Sequence, residues 1–236
     1  MNAEHASAGV IANPHPATSS NHRPLWLLLG FWISLLIAVA AVVRRLVALA
    51  HPSQAAPHRM IAPDAVFASH AALTIAHIVP AMIFVLLTPF VLLRRDDRNW
   101  AERLLFPLGA VVGATAYAMS TYSIGGWVER SAVLFFNTLF LYSLARAYGF
   151  MRAGEDKQKR IWMIRAIAIL LGIATTRPVM GIFFATRRLT HLEPQQFFGL
   201  AFWIGFSINT IAVQLWLRSR GRQSQSERMA TQSAVQ

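Results

Sequence analysis

Six apolar runs of about 20 residues recur along this chain and limit what it can fold into. They occupy residues 25–43, 71–93, 104–122, 132–150, 161–184 and 197–217. Because a helix rises about 1.5 Å per residue, each run is long enough to cross the hydrocarbon core of a bilayer. The sequence therefore predicts an all-α integral membrane protein. We expect a six-transmembrane-helix bundle over residues 25–218, between disordered tails at residues 1–24 and 219–236.

The basic residues predict how this bundle is oriented. The 22 Lys and Arg outnumber the 10 Asp and Glu, and they cluster in short loops, which is typical of topology signals and not of nucleic-acid binding. The side that holds both tails collects about thirteen Lys and Arg, and the other side about six, so the positive-inside rule places the tails in the cytoplasm. We expect a multi-pass protein of the cell inner membrane with cytoplasmic termini, surrounded by bilayer lipid and without a nucleic-acid partner.

Four polar residues predict a buried pocket on the outer side of the bundle. His77, Asn137 and Arg177 each lie about six or seven residues inside the outer end of a run, and Tyr122 closes the third run on that side. Polar side chains exposed to lipid are costly, so these four residues should face one another. They can form a ligand pocket, or alternatively serve only to hold helices together through hydrogen bonds.

Arg177 is the most informative of the four. All ten carboxylates are expected in tails or loops, so no acid inside a run can pair with it. Its partner is then an outer-loop acid, a backbone carbonyl or an anionic ligand; the candidate acids are Asp64, Glu129 and Glu193. The same distribution argues against a proton or sodium pump, whose relay usually needs an intramembrane carboxylate.

The choice of cofactor stays open. The chain has no cysteine, which excludes thiolate metal sites, c-type haem attachment and iron–sulfur clusters, and we recognise neither a catalytic motif nor a metal site in the sequence. Haem b is compatible with the pocket if His77 and a second residue, His191 or Met180, bind the iron. A quinone is also compatible, with hydrogen bonds from His77, Tyr122 or Arg177.

Short sequence elements resemble one protein family. The best of them is RIWMIR at residues 160–165, followed by Ala168 and Arg177. Weaker elements are His77-Ile78, Arg94-Arg95, Gly125-Gly126 and Arg152. Together, over about half of the chain, they resemble a group of predicted bacterial membrane proteins, domain of unknown function family 2306. This resemblance implies a helical membrane protein and brings no established activity with it.

The chain departs from the family pattern at two places. It has Glu102-Arg103 where the pattern has His-Arg, and Lys159 where a His precedes the RIWMIR element. If those histidines bind a metal or haem in other members, this chain should lack that site. Arg165 within the element, like Arg146, lies near the cytoplasmic interface, and we expect both to extend toward lipid headgroups.

Three functions are compatible with these observations. The first is a cofactor- or amphiphile-binding protein, redox-associated, with an outer-leaflet pocket that contains His77 and Arg177. The second is a small-anion transporter in which Arg177 binds the substrate, although the short chain and the lack of an internal repeat argue against it. The third is a non-catalytic membrane assembly factor. The sequence does not predict an oligomeric state.

Overall fold

The computed structural model describes residues 25–51, 65, 67–93, 99–191 and 193–233. In these residues the chain forms helices and no strands. The long helices are α1 (Leu25–Ala50), α2 (Ala71–Leu93), α3 (Asn99–Met119), α4 (Gly126–Arg152), α5 (Asp156–Thr190) and α6 (Pro194–Ser233). In the described part six helices are long and apolar enough to cross a membrane, which confirms the predicted all-helical class and the number of spans. The predicted tail at residues 1–24 lies outside the described residues.

Several helices extend beyond the apolar runs that predict them. α6 continues to Ser233, through most of the segment that the sequence predicts to be a disordered tail. Arginine, glutamine and glutamate are good helix formers, so a helix that leaves the membrane can continue through such residues. α4 begins at Gly126, six residues before its predicted span. Glu129 therefore lies buried in a helical turn, and the expectation that every carboxylate lies in a tail or loop is wrong.

The bundle has two ends. At the first, which we call the α1–α2 end, α1 finishes, α2 begins, and short turns join α3 to α4 and α5 to α6. The α3–α4 turn requires glycine, because Gly126 has a φ of 60° and a Cβ at Gly125 would lie 2.8 Å from the Gly199 backbone nitrogen. At the opposite end, which we call the α4–α5 end, α4 connects to α5 through residues 153–155.

The core of the bundle is formed mainly by α3, α4 and α5. Its members include the buried side chains of Leu105, Phe140 and Ile167, one from each of these helices, and α2 adds Phe84. Phe84 and Phe140 meet edge to face, with ring centroids 5.9 Å apart. This part of the core lies between the middle of the bundle and the α4–α5 end. It does not extend to the α1–α2 end.

The outer helices α1 and α6 both contact α5. α6 approaches it closely: a Cβ at Gly205 would lie 2.7 Å from the Thr176 backbone nitrogen, so glycine is what allows the two backbones to meet. The Asn209 side-chain oxygen of α6 also accepts a hydrogen bond of 2.7 Å from the Thr175 hydroxyl of α5. α1 is different, because only its small residues Ala38 and Ala48 are buried.

Candidate functional site

A cavity of about 550 Å³ lies inside the bundle at the α1–α2 end. Residues from all six helices line it, and most of them are apolar. Its charged and polar lining is concentrated at the level of Arg45, Tyr122 and Arg177, and its lining on α5 extends inward to Ile169. Because these α5 residues are eight positions apart, the cavity reaches about 12 Å toward the middle of the bundle.

The floor of the cavity is the packed core. The innermost lining residues include Val85 of α2 and Phe140 of α4. Beyond them, toward the α4–α5 end, lie the buried side chains of Leu144 and Ala166. The cavity is therefore a pocket with mostly apolar walls and an apolar floor.

All four residues that the sequence singles out line this cavity: His77, Tyr122, Asn137 and Arg177. They come from α2, the turn after α3, α4 and α5, respectively. They differ in how their polar atoms are used, and this difference separates the residues that hold helices together from the one that offers an unused donor.

His77 and Asn137 are bonded within the bundle. The Thr115 hydroxyl donates to the Val111 carbonyl oxygen of its own helix at 2.7 Å, so it accepts a hydrogen bond of 2.9 Å from His77 Nδ1. For a neutral imidazole, Nε2 is then the acceptor nitrogen. Asn137 Nδ2 donates to the Gly113 carbonyl oxygen at 2.9 Å and connects α4 to α3. Both contacts are interhelical, so these residues stabilise the bundle as well as line its cavity.

Tyr122 marks the rim of the cavity. Its side chain is largely exposed, and its ring lies over the ring of His70, with centroids 3.7 Å apart. This contact joins the end of α3 to the residue that precedes α2. Tyr122 is thus placed to contact a ligand at the entrance, but not one deep in the cavity.

Arg177 is the residue of the four with an unused buried donor. Its Nε is buried and has no hydrogen-bond partner among the described residues. A buried donor without a partner is uncommon and is destabilising by about 1 to 3 kcal/mol or more when the group is charged. A bound anion would satisfy it.

The charges around Arg177 are unbalanced. Arg44 and Arg45 of α1 line the same cavity and repel Arg177, whereas the nearby Glu129 attracts it. Glu129 is not within ion-pair distance of Arg177, and its Oε2 accepts a hydrogen bond of 2.6 Å from the Gly125 backbone nitrogen. Among the described residues that line the cavity, the charged ones are these three arginines and Glu129.

The acids considered for Arg177 have different outcomes. Glu193 forms an ion pair with Arg187, with 3.1 Å between Oε2 and the guanidinium nitrogen. Asp64 lies outside the described residues. Of the two described candidates, only Glu129 acts electrostatically on Arg177, and the two side chains do not form an ion pair.

The structure does not bring together the residues predicted to bind haem. Met180 is buried in a separate cluster around Phe197, and His191 is exposed beyond the end of α5, so neither lines the cavity with His77. Two other thioethers, of Met82 and Met119, line it instead. In the described residues no group of three His, Cys, Asp or Glu side chains could hold a metal ion. The predicted His77 ligand pairs therefore do not fit haem.

Sequence reasoning missed Arg44, Arg45 and Glu129 as lining residues. It ended the first span at residue 43 and began the fourth at residue 132, whereas α1 continues to Ala50 and α4 begins at Gly126. The apolar residues that follow Arg45 could have indicated the longer helix, since the segment LVALA continues the run after the two arginines.

Comparison with known proteins gives one match. The family model described as predicted membrane protein (DUF2306) matches residues 74–217, which confirms the resemblance inferred from the short elements. The matched range contains α2 to α5 almost entirely and the apolar part of α6, and with them the four predicted site residues. α1, with Arg44 and Arg45, lies outside it. No curated protein and no solved structure gives a significant match.

Proposed function

The chain belongs to the DUF2306 family of predicted membrane proteins, and we propose that its cavity binds an anionic amphiphile. In this proposal the acidic head lies beside Arg177 at the α1–α2 end, and the apolar tail fills the space toward Ile169 and Phe140. No chemical reaction is included. The observation that carries the proposal is the buried Nε of Arg177, which has no hydrogen-bond partner among the described residues and lies in a cavity whose lining is mostly apolar.

The charge supports a head group that is a carboxylate or a phosphate. Arginine binds both through parallel N–H donors, and such charge-assisted hydrogen bonds are stronger than neutral ones. A quinone is neutral, so it could accept hydrogen bonds from Tyr122, His77 or Arg177 but would not bring a counter-charge to the buried Arg177 guanidinium. Haem carries acidic propionates, but its predicted iron ligands do not meet in the cavity. These two cofactors are therefore weaker candidates than an acidic lipid or a related amphiphile.

The packed floor supports binding more than transport. A solute that crosses the membrane needs a route past Leu144 and Ala166, which are buried in the core. An amphiphile needs only one entrance, and it can reach a cavity in the outer part of the bundle from the surrounding lipid. A role as a non-catalytic assembly factor predicts an empty cavity, and the experiment below distinguishes it.

We also propose that the α1–α2 end faces away from the cytoplasm in an inner membrane, with both termini inside. The distribution of Lys and Arg supports this orientation. Because the chain has no cysteine, a single introduced cysteine reports its own side of the membrane. An impermeant thiol reagent should label His191→Cys in intact cells, and Ala153→Cys only after the membrane is permeabilised. The reverse pattern would show that the orientation is wrong.

The decisive experiment identifies what the purified protein holds. The full chain is extracted in a mild detergent, its oxidised and reduced visible spectra are recorded, and organic extracts are analysed by mass spectrometry. We expect no haem spectrum and an acidic amphiphile at close to one molecule per chain. A haem spectrum, an extracted quinone, or no bound molecule together with no binding of an added fluorescent fatty acid would each reject the proposal.

Variants at two arginines of α5 test the role of Arg177. Arg177→Gln should weaken retention of the amphiphile about tenfold or more, because it removes a charged hydrogen-bond donor. Arg177→Lys should keep part of the affinity, since the charge remains and the planar group is lost. The matched control is Arg187→Gln, which removes the same charge from the same helix where it pairs with Glu193. Equal retention by Arg177→Gln and the control would contradict the proposed head-group site.

A further inference from the structure

A second group of arginines lies on the outside of the bundle near the α4–α5 end. Arg146 of α4 and Arg165 of α5 both lie over the ring of Trp162, with guanidinium carbons 5.4 Å and 4.3 Å from its centroid. Arg146 also lies 4.9 Å from the centroid of Phe150. Both guanidinium groups therefore lie beside one aromatic ring, on two neighbouring helices. We call Arg146, Trp162 and Arg165 the hairpin cluster.

The arginines of the hairpin cluster have aromatic partners but no acidic ones. Neither forms an ion pair or hydrogen bond among the described residues, and the Nε of Arg165 is buried without a partner. A cation–π contact holds a guanidinium in place while leaving its N–H groups available at the edge. Two neighbouring cations without a counter-charge repel each other, and an anion between them removes that repulsion.

Two acids at the same end of the bundle are paired with a lysine. Lys159 lies 2.8 Å from both Glu102 Oε2 and Asp156 Oδ1. Among the described residues, the hairpin cluster has no such carboxylate partner. An anion from outside the chain can therefore complement the cluster.

The position of the hairpin cluster indicates what that anion is. Arg165 lies nine residues after the start of α5 and Arg146 six residues before the end of α4, which places them about 14 Å and 9 Å along their helices from the connecting turn. Neither lines the central cavity, and Arg146 is exposed on the outer surface. This surface faces lipid in a membrane-spanning bundle, at a depth that a phospholipid phosphate can reach.

A surface groove on α4 continues from the hairpin cluster. It has a volume of about 580 Å³ and is lined by residues of α4 alone, from Tyr142 past Leu139 and Phe135 to Trp127. The ring of Tyr142 meets Trp162 edge to face at 5.5 Å, so the groove begins at the cluster. Its wall is mostly apolar, which suits an acyl chain that lies along the helix.

We propose that the hairpin cluster and the α4 groove bind one anionic phospholipid of the bilayer. The phosphate lies between Arg146 and Arg165, held over Trp162, and an acyl chain lies in the groove toward Trp127. The positive charge of the cluster complements the phosphate, and the apolar groove explains why the ligand is a lipid and not a free anion. This site is separate from the central cavity and does not depend on what that cavity binds.

Native mass spectrometry of the full chain in a neutral detergent tests this proposal. Phosphatidylglycerol and phosphatidylcholine with the same acyl chains are titrated in parallel, with inorganic phosphate as a third ligand. We expect one tight binding event for phosphatidylglycerol that the zwitterionic lipid and inorganic phosphate do not reproduce. Equal binding of both lipids would overturn the proposal, and tight binding of inorganic phosphate alone would assign the cluster to a free anion instead.

Variants locate the binding event. The double variant Arg146→Gln/Arg165→Gln should bind phosphatidylglycerol about tenfold more weakly, since each arginine near a lipid phosphate contributes to attraction. Arg152→Gln, an exposed arginine on the same hairpin without contact to Trp162, should leave it unchanged. If the double variant does not fold, Arg146→Gln alone, at an exposed position, should still weaken binding severalfold. No difference between these variants and Arg152→Gln would reject the site, whereas Arg177→Gln should not affect it.

Discussion

The helices α1 and α6 both lie on the outside of the bundle and both contact α5, but they meet it in different ways. In the most apolar stretch of each helix, 6% of the residues of α1 and 11% of those of α6 are buried, compared with 44% for α5. The backbone of α6 nevertheless contacts the backbone of α5 closely at Thr176, because Gly205 has no side chain. Along α1, in contrast, residues 37–42 and the two arginines after them line a cavity.

This difference divides the bundle into two parts. The helices α2 to α6 form what we call the α2–α6 frame, and α1 forms one wall of the cavity. Because the backbones of α5 and α6 meet at Thr176 and Gly205, α5 cannot move closer to α6. We therefore expect Arg177, next to Thr176, to be held in a fixed position. α1 has fewer buried residues and lies outside the range that the family model matches. We therefore expect the α2–α6 frame to tolerate little change in shape, and α1 to be the side on which the cavity can widen for a ligand.

The strongest test of this comparison places the same side chain on each outer helix. Gly205→Val should lower the thermal midpoint by at least about 5 °C or prevent folding, because its branched side chain would overlap the α5 backbone. Gly30→Val on α1, where nothing lies within 4 Å of the added Cβ, should leave the midpoint unchanged. Thermal unfolding in detergent measures both, and similar midpoints for the two variants would show that the two helices do not differ as described.

A smaller effect is expected from the polar contact between α5 and α6. Asn209→Leu removes the hydrogen bonds with the Thr175 hydroxyl and the Ala168 carbonyl oxygen. It should lower the free energy of unfolding by about 0.6 kcal/mol, the average for an interhelical hydrogen bond in a membrane, and by no more than about 1.7 kcal/mol per bond. Thr210→Val is the control, since its hydroxyl bonds only to the Phe206 carbonyl oxygen of its own helix. Unfolding of both proteins in mixed micelles gives the comparison. A cost for Asn209→Leu no larger than that of the control would show that backbone contact alone holds α6.

The smallest effect concerns α1. Arg45 lies 4.0 Å from the centroid of Phe67, so Phe67→Leu should destabilise the end of α1 by about 0.5 to 1 kcal/mol. Hydrogen exchange should then increase in the last turns of α1 and stay unchanged in α6. Trp216→Leu removes a similar contact with Arg220 inside α6 and serves as the control. Faster exchange throughout the bundle after Phe67→Leu would mean that α1 belongs to the frame.

The sequence predicted the helices better than their ends. Hydrocarbon thickness sets the length of an apolar run, so six spans could be read without knowledge of packing. The ends depend on residues that are polar but still form helix, and for this reason α6 extends to Ser233 and α4 starts early enough to include Glu129. The same error placed Glu129, one of the acids considered for Arg177, in a loop and not in a helix. The orientation of the bundle stays a prediction.

The contacts of the candidate site were not predictable from the sequence. Counting residues gives an approximate depth, which was the basis for expecting His77, Asn137 and Arg177 at one height. The direction in which each side chain points depends on the rotation of its helix, which hydropathy does not determine. For that reason the bond from His77 to Thr115, the separation of Met180 from the cavity and the contribution of α1 appear only in the structure.

The packed floor of the cavity has a consequence for the size of its ligand. For an amphiphile whose head lies beside Arg177, the tail can extend only until it reaches Phe140 and the buried Leu144 beyond it. A chain longer than this distance must bend or leave between the helices, and α1 is the helix that can yield. If the cavity binds an amphiphile as proposed, the position of its floor therefore limits the length of the tail that fits. Replacing Phe140 with a smaller side chain should allow longer tails to bind.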